Sequence, residues 1–157
     1  MAKRKSSGIL LFRGKAPETE VFLVLHGGPY WVGKDQGAWT IPKGEFEDPE
    51  LPLNAAIREF EEETGIRPNG HFIALSPVVQ KGGKQVFAWA LEGDLDAAAI
   101  RSNTFTMEWP PRSGNWQAFP EVAKGGWFSI KEAKVKINAA QVPFFDELLL
   151  KMTQVNS

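Results

Sequence analysis

Gly44-Glu45-Phe46-Glu47-Asp48-Pro49-Glu50-Leu51-Pro52-Leu53-Asn54-Ala55-Ala56-Ile57-Arg58-Glu59-Phe60-Glu61-Glu62-Glu63-Thr64-Gly65-Ile66 carries two helical patterns at once. With side chains advancing about 100° per residue, the spacing predicts a helix over Pro52 to Thr64. Leu53, Ala56, Ile57 and Phe60 then share an apolar face. Glu59, Glu62 and Glu63 fall within about 100° of one another on a second face, since residues three and four apart are neighbours. Pro52 suits the first helical position, where its missing N–H costs nothing. Gly65 is expected to end the helix as a left-handed cap. Leu51 is a poor N-cap.

Like charges at this spacing repel unless something offsets them. A hard divalent cation with oxygen ligands, such as Mg²⁺, would do so and would keep coordination positions for phosphate oxygens. An acidic helix face turned to solvent is the plainer alternative.

The spacing decides between these. Gly44, Glu50, Arg58, Glu59, Phe60, Glu62, Glu63, Gly65 and Ile66 fill every fixed position of the Nudix box, G-x5-E-x7-R-E-U-x-E-E-x-G-U, with U a bulky apolar residue. A chance match is far below roughly one in a million per window from background residue frequencies. Phe60 stands where the family usually has an aliphatic residue, and the position stays apolar. The chain therefore resembles a Nudix hydrolase of the MutT-like nucleoside polyphosphate pyrophosphohydrolase kind.

That resemblance implies an α/β fold, a mixed β-sheet sandwiched between helices, with the box forming a catalytic loop-helix-loop on one edge. It implies hydrolysis of a pyrophosphate bond in a nucleoside di- or triphosphate derivative. Mg²⁺ is the implied cofactor, with Mn²⁺ able to substitute. Glu59, Glu62, Glu63 and the Gly44 carbonyl are the implied metal ligands. Arg58 belongs to the catalytic set through its family pairing with Glu50, which holds the loop against the helix; Glu50 and Gly65 are structural. The general base differs among members, so Glu59, Glu62 and an acid from a later loop all stand, with Glu121 as the later acid. The run Trp39-Thr40-Ile41-Pro42-Lys43-Gly44 is similar to that of Nudix enzymes cleaving dinucleoside polyphosphates. It occurs too in housecleaning triphosphatases and diphosphoinositol-phosphate hydrolases. A dinucleoside polyphosphate or an intact or oxidised nucleoside triphosphate is thus the expected substrate. A Nudix-fold nucleotide-binding module and a diphosphoinositol-polyphosphate hydrolase are the alternatives.

The rest of the chain is consistent with this. A length of 157 residues with 43% apolar content suits one domain with a real core. A net charge of −1 argues against a general nucleic-acid or membrane binder. There is no cysteine, which excludes disulfides, thiolate metal sites and cysteine nucleophiles. No apolar run near the start is long enough for a signal-peptide core or a membrane span. The expectation is a cytoplasmic monomer or homodimer acting on a small-molecule substrate, with residues 1–6, including the basic run Lys3-Arg4-Lys5, as a flexible tail.

Ser7 to Phe12 and Val21 to Leu25 read as a strand pair about the turn Gly14 to Thr19. His26 and His71 read as structural histidines. Tyr30 and Trp31 either pack on the domain or face a nucleobase. Ala38 to Ile41 reads as a short strand leading into Pro42-Lys43-Gly44, where glycine would permit a turn. Lys43 beside it is a candidate phosphate contact. Phe72 to Val79 and Gln85 to Leu91 read as a hairpin, and Asn103 to Trp109 as a further strand. Pro110 to Gly126 reads as a long loop and candidate substrate wall, with Arg112 as a phosphate clamp and Trp116 as a stacking surface. Trp127 to Ile130 gives a last strand, and Val142 to Met152 a closing helix.

Overall fold

The computed structural model describes residues 4–155. Two apolar runs form its centre, β1 (Lys5–Arg13) and β2 (Glu20–His26). Side chains alternate across a strand, so a run apolar at every position must be buried on both faces. Ile9 and Leu11 of β1 join Phe22 and Val24 of β2 on one side, against Ala56 and Phe60 of the box helix α1 (Pro52–Thr64). Leu10, Phe12, Val21, Leu23 and Leu25 face the other side. There they meet Ala133 of α2 (Ile130–Lys136) and Phe144, Phe145 and Leu148 of α3 (Val142–Val155).

The remaining strands extend this layer: β3 (Lys43–Phe46), β4 (Ile73–Val79), β5 (Gln85–Glu92) and β8 (Val122–Ser129). The sheet runs β4-β5-β1-β2-β8, with β3 pairing to the first half of β1. It is mixed, because β1 and β5 run parallel while every other pair is antiparallel. This is the expected layered α/β architecture, helices on both faces of a mixed sheet. No helix among the described residues is long and apolar enough to cross a membrane.

Four expectations change. Residues 5 and 6, expected in the tail, are strand: Lys5 pairs with Phe46 and Ser6 with Glu45. Arg4 and Lys5 are held by Glu45 and Asp48 at 2.7 and 2.9 Å; residues 1–3, Lys3 among them, lie outside the described residues. Ala38 to Ile41 makes only isolated bridges, from Thr40 to Val24 and from Trp39 to Ile137, and regular pairing starts at Lys43. Gly44 is therefore strand, not turn. Its lack of a Cβ leaves room for the Glu59 carboxylate, which an added Cβ would displace.

The fourth change is the Pro110 to Gly126 region. It forms a separate two-stranded hairpin, β6 (Thr104–Glu108) with β7 (Trp116–Pro120), followed directly by β8. The Glu108 carboxylate accepts from the Arg112 and Gly114 amides at 2.8 and 3.2 Å, closing the turn between the two strands. Most β7 side chains are exposed. A strand with no buried face shows no alternation to read.

Candidate active site

The box helix is fixed at both ends. Ser7 Oγ donates to the Pro52 carbonyl at 2.5 Å, while Leu51 makes no side-chain cap. At the other end Gly65 adopts φ 78, and its amide donates to the Glu61 carbonyl. Burial of Ala56 and Phe60 against the sheet turns Glu59 and Glu63 toward β3, where both are almost wholly buried. Glu63 Oε1 accepts from the Lys43 amide at 3.2 Å. Glu59 lies against Gly44. Alanine at position 44 should therefore displace Glu59 and cost about 1–3 kcal/mol, as overpacked sites do. Thermal unfolding of Gly44→Ala checks this, and an unchanged midpoint would mean Glu59 turns away freely.

Arg58 organises the acids. Its Nε and Nη2 grip Glu50 in a two-pronged pair at 2.8 and 2.9 Å, the pairing the box resemblance implies. Its Nη1 also reaches Glu59 at 2.7 Å and Glu62 at 3.2 Å. The guanidinium lowers the pKa of Glu50. Burial and the Glu62 charge raise that of Glu59 despite Arg58. Burial and the Glu59 charge raise that of Glu63 well above the carboxylate range. Among the described residues, no three acids converge on one point as they stand, because Arg58 holds two of them and the Lys43 amide a third.

Glu121 reaches this group through backbone anchors. The Asn103 amide donates to the Glu62 carbonyl at 2.7 Å, and the Glu121 amide to the Asn103 carbonyl at 2.8 Å. The Gly27 amide then donates to the Glu121 carbonyl at 2.9 Å. Gly27 has to lack a Cβ, which would run into the Pro120 carbonyl. These contacts tie the box helix, the end of β2 and the β7–β8 junction together. Burial and the Glu62 charge raise the Glu121 pKa.

Glu59, Glu63 and Glu121 line one open cleft of about 290 Å³ together with Lys43, Gly44 and Glu45. Lys43 is 9% exposed, and its ammonium has no carboxylate within ion-pair distance among the described residues. Burial and the Lys84 charge lower its pKa to about 8. A larger cavity of about 440 Å³ sits beyond the ends of β1 and β5 and beside α3, with Phe12, Ile73 and Met152 in its wall. It contains none of the box acids. Glu59 and Glu63 of the box line the smaller cleft instead.

Arg112 and Trp116 do not line that cleft. Arg112 sits in the turn of the β6–β7 hairpin, and Trp116 is exposed at the turn end of β7. The aromatic residues that do line it are Phe105, from the base of the hairpin, and His26 and Trp31. Phe105 carried no sequence signal beyond ordinary strand composition. His26 was read as structural, although Gly27-Gly28 after it signals a close backbone approach.

Burial, then the charge of Lys43, lowers the His26 pKa from 6.5 to about 4. The folded state thus favours the neutral ring. Between these values the unfolded chain binds more protons, so this contribution is whole above pH 6.5 and is lost as pH falls through about 4. The difference corresponds to up to about 3 kcal/mol. His26→Gln should flatten the loss of stability between pH 7 and 4.5 in denaturant titrations; equal slopes would contradict it.

Comparisons with known proteins agree on the fold. The model of the NUDIX domain matches residues 2–148. The chain is 31% identical over 107 residues to an octanoyltransferase of Myxococcus xanthus, covering 68% of this chain and 26% of that protein. It is 37% identical over 75 residues to an RNA pyrophosphohydrolase of Bartonella henselae, covering 41% of this chain and 36% of that one. The matched stretches thus span about a quarter to a third of these relatives. Among solved structures, the NUDIX domain of Shewanella oneidensis NrtR, complexed with ADP ribose, covers this whole chain and 90% of its own at a TM-score of 0.62 and 12% identity. That identity speaks for the fold alone. A domain model matching nearly the whole chain, a complete box and this layered architecture have one reading: the chain belongs to the NUDIX domain family.

Proposed function

We propose that this chain is a divalent-metal-dependent hydrolase of a pyrophosphate bond in a nucleotide derivative. A dinucleoside polyphosphate or an intact or oxidised nucleoside triphosphate is the substrate, and the enzyme acts in the cytoplasm as a monomer or homodimer. The observation that carries this is the buried, like-charged set of Glu59 and Glu63, facing a cleft shared with Glu121 and with the ammonium of Lys43, which has no ion-pair partner among the described residues. Burial raises both pKa values, then the Glu62 charge that of Glu59 and the Glu59 charge that of Glu63, as in a site short of positive charge. An all-oxygen donor set of this kind fits a hard cation such as Mg²⁺, with Mn²⁺ as a substitute.

Glu59, Glu62, Glu63 and the Gly44 carbonyl would hold the ion, and Arg58 would yield its bonds to Glu59 and Glu62. When bound, the ion neutralises phosphate charge and favours an ionised water. The protein groups supply the rest. Lys43 receives a phosphate oxygen at the buried end of the cleft. The Glu121 carboxylate takes a proton from water as the water oxygen bonds to phosphorus and the bridging P–O bond breaks, with the leaving phosphate departing as the anion. Glu121 is preferred over Glu62 as the base because Glu62 would be engaged with the ion, while the Glu121 carboxylate lines the cleft and has no hydrogen bond among the described residues. A nucleotide-binding module without activity is the weaker reading, since every box glutamate is present.

The test is turnover on a panel of nucleoside triphosphates, dinucleoside polyphosphates, nucleotide sugars and diphosphoinositol phosphates, with products identified by chromatography. The reading expects two phosphorylated products from at least one nucleotide. No cleavage anywhere on the panel, by a folded protein supplied with Mg²⁺ or Mn²⁺, would reject it.

A further inference from the structure

Lys43 and Gly44 reach the cleft from a segment that changes partner just before them. Thr40 exchanges backbone hydrogen bonds with Val24 of β2 at 2.9 and 3.0 Å. The next contacts are to β1: the Ile9 amide donates to the Pro42 carbonyl at 3.1 Å, and regular pairing starts at Lys43 opposite Gly8. At the change of partner, Pro42 has no N–H and the fully buried Ile41 has no strand to take its own. A buried amide left without an acceptor is costly.

A side chain a hundred positions away takes the place of that strand. Gln141 ends the short turn Ala139–Gln141 that leads into α3, and none of its surface is exposed. Its carboxamide oxygen accepts from the Ile41 amide at 3.1 Å. Its NH₂ group donates to Thr40 Oγ1 and to Gln80 Oε1, both at 2.9 Å. Thr40 Oγ1 in turn donates to the Ile41 carbonyl at 2.9 Å. An amide N–H can only donate, so the Ile41 contact fixes which end of the carboxamide faces the segment. The opposite side leaves no slack. A Cβ on Gly8 would sit 2.4 Å from the Pro42 carbonyl oxygen and 2.6 Å from the Lys43 Cβ.

We infer that Gln141 is a positioning residue for the acidic cleft. It does not line the cleft. Through Ile41 it fixes where the Lys43 amide meets Glu63 and where Gly44 lies against Glu59. This rests on the cleft being the reaction site proposed above. Misplacement of a reacting group by about 1 Å can cost on the order of 10²-fold in rate. Loss of a partner that orients metal ligands costs about 10–100-fold in affinity or activity.

The experiment compares Gln141→Met, which removes both polar ends at similar length, with Gln80→Met, which removes only one of the partners. Mn²⁺ affinity is read on the substrate-free protein by electron paramagnetic resonance. Hydrogen exchange at the Lys43 amide is read by NMR on the metal-free protein, with turnover alongside. Gln141→Met should weaken Mn²⁺ about tenfold or more, speed exchange at Lys43 and lower kcat about 10²-fold. Gln80→Met should leave all three as in the parent, even where its melting temperature falls as far. Gln141→Glu keeps an oxygen for the Ile41 amide and should recover most of the loss. Gln141→Asn, one methylene too short to reach Ile41, carries the same expectation as Gln141→Met should that variant not fold. Parental Mn²⁺ affinity and Lys43 exchange in Gln141→Met, or equal losses in Gln80→Met, would overturn the inference. A parent protein that cleaves no nucleotide would count against the proposed reaction, and the Lys43 amide would still decide the role of Gln141.

Discussion

Glu63→Gln is expected to make the metal-free protein more stable and the enzyme nearly inactive. The side chain is almost wholly buried, and its pKa is raised first by burial and then by Glu59. The sign follows from linkage. A carboxyl whose folded pKa exceeds its unfolded value of 4.5 binds protons more tightly in the fold. Its contribution is therefore best below pH 4.5 and worsens as pH rises from there through the raised folded value, where an anion must be buried. Glutamine keeps the shape, can still accept from the Lys43 amide and never carries that charge. In chelator at pH 8 its melting temperature should exceed that of the parent, by about 2–4 °C for each kcal/mol relieved. Added Mg²⁺ should then stabilise the parent more than the variant, because binding to the native state alone raises stability by mass action. Turnover should fall on the order of 10²–10³-fold, the scale of losing a group that answers transition-state charge. A variant less stable than the parent in chelator, or with parental turnover, would contradict this assignment of Glu63.

Glu121→Gln should lower kcat by about 10²–10⁴-fold with KM little changed, as the loss of a proton acceptor acts on the transition state. The fold should tolerate it, since Glu121 is anchored through its backbone to Gly27 and Asn103 and not through its carboxylate. The parent rate should rise with pH through the raised carboxyl pKa as the acid ionises, then level. In the variant that limb should vanish. A pH profile of the same shape in both proteins would remove Glu121 as the base and return the role to Glu59 or Glu62.

What could be read in advance was whatever local periodicity or spacing controls. The helix Pro52–Thr64 and its Gly65 cap follow from residues close in sequence, and the Arg58–Glu50 pair from the box resemblance. The central strands were legible because burial on both faces makes them continuously apolar. What was not legible depended on distant approach. Gly44 is glycine because of Glu59 fifteen positions on, not because of its own backbone. The β6–β7 hairpin has too little buried surface to leave a pattern, so the sequence does not show that Phe105 and Trp31 line the acidic cleft while Arg112 and Trp116 lie outside its lining. Glu121 is a candidate in the sequence only by its position before the last strand, and the backbone chain through Asn103 that carries it to Glu62 leaves no sequence signal.

A divalent ion held by the buried acids of the box is the centre of the proposed chemistry. The most direct test is the parent enzyme's turnover of its best nucleotide, measured against buffered free Mg²⁺. No turnover is expected in excess chelator, with a saturable rise as free Mg²⁺ increases. Turnover that is undiminished in chelator would contradict it.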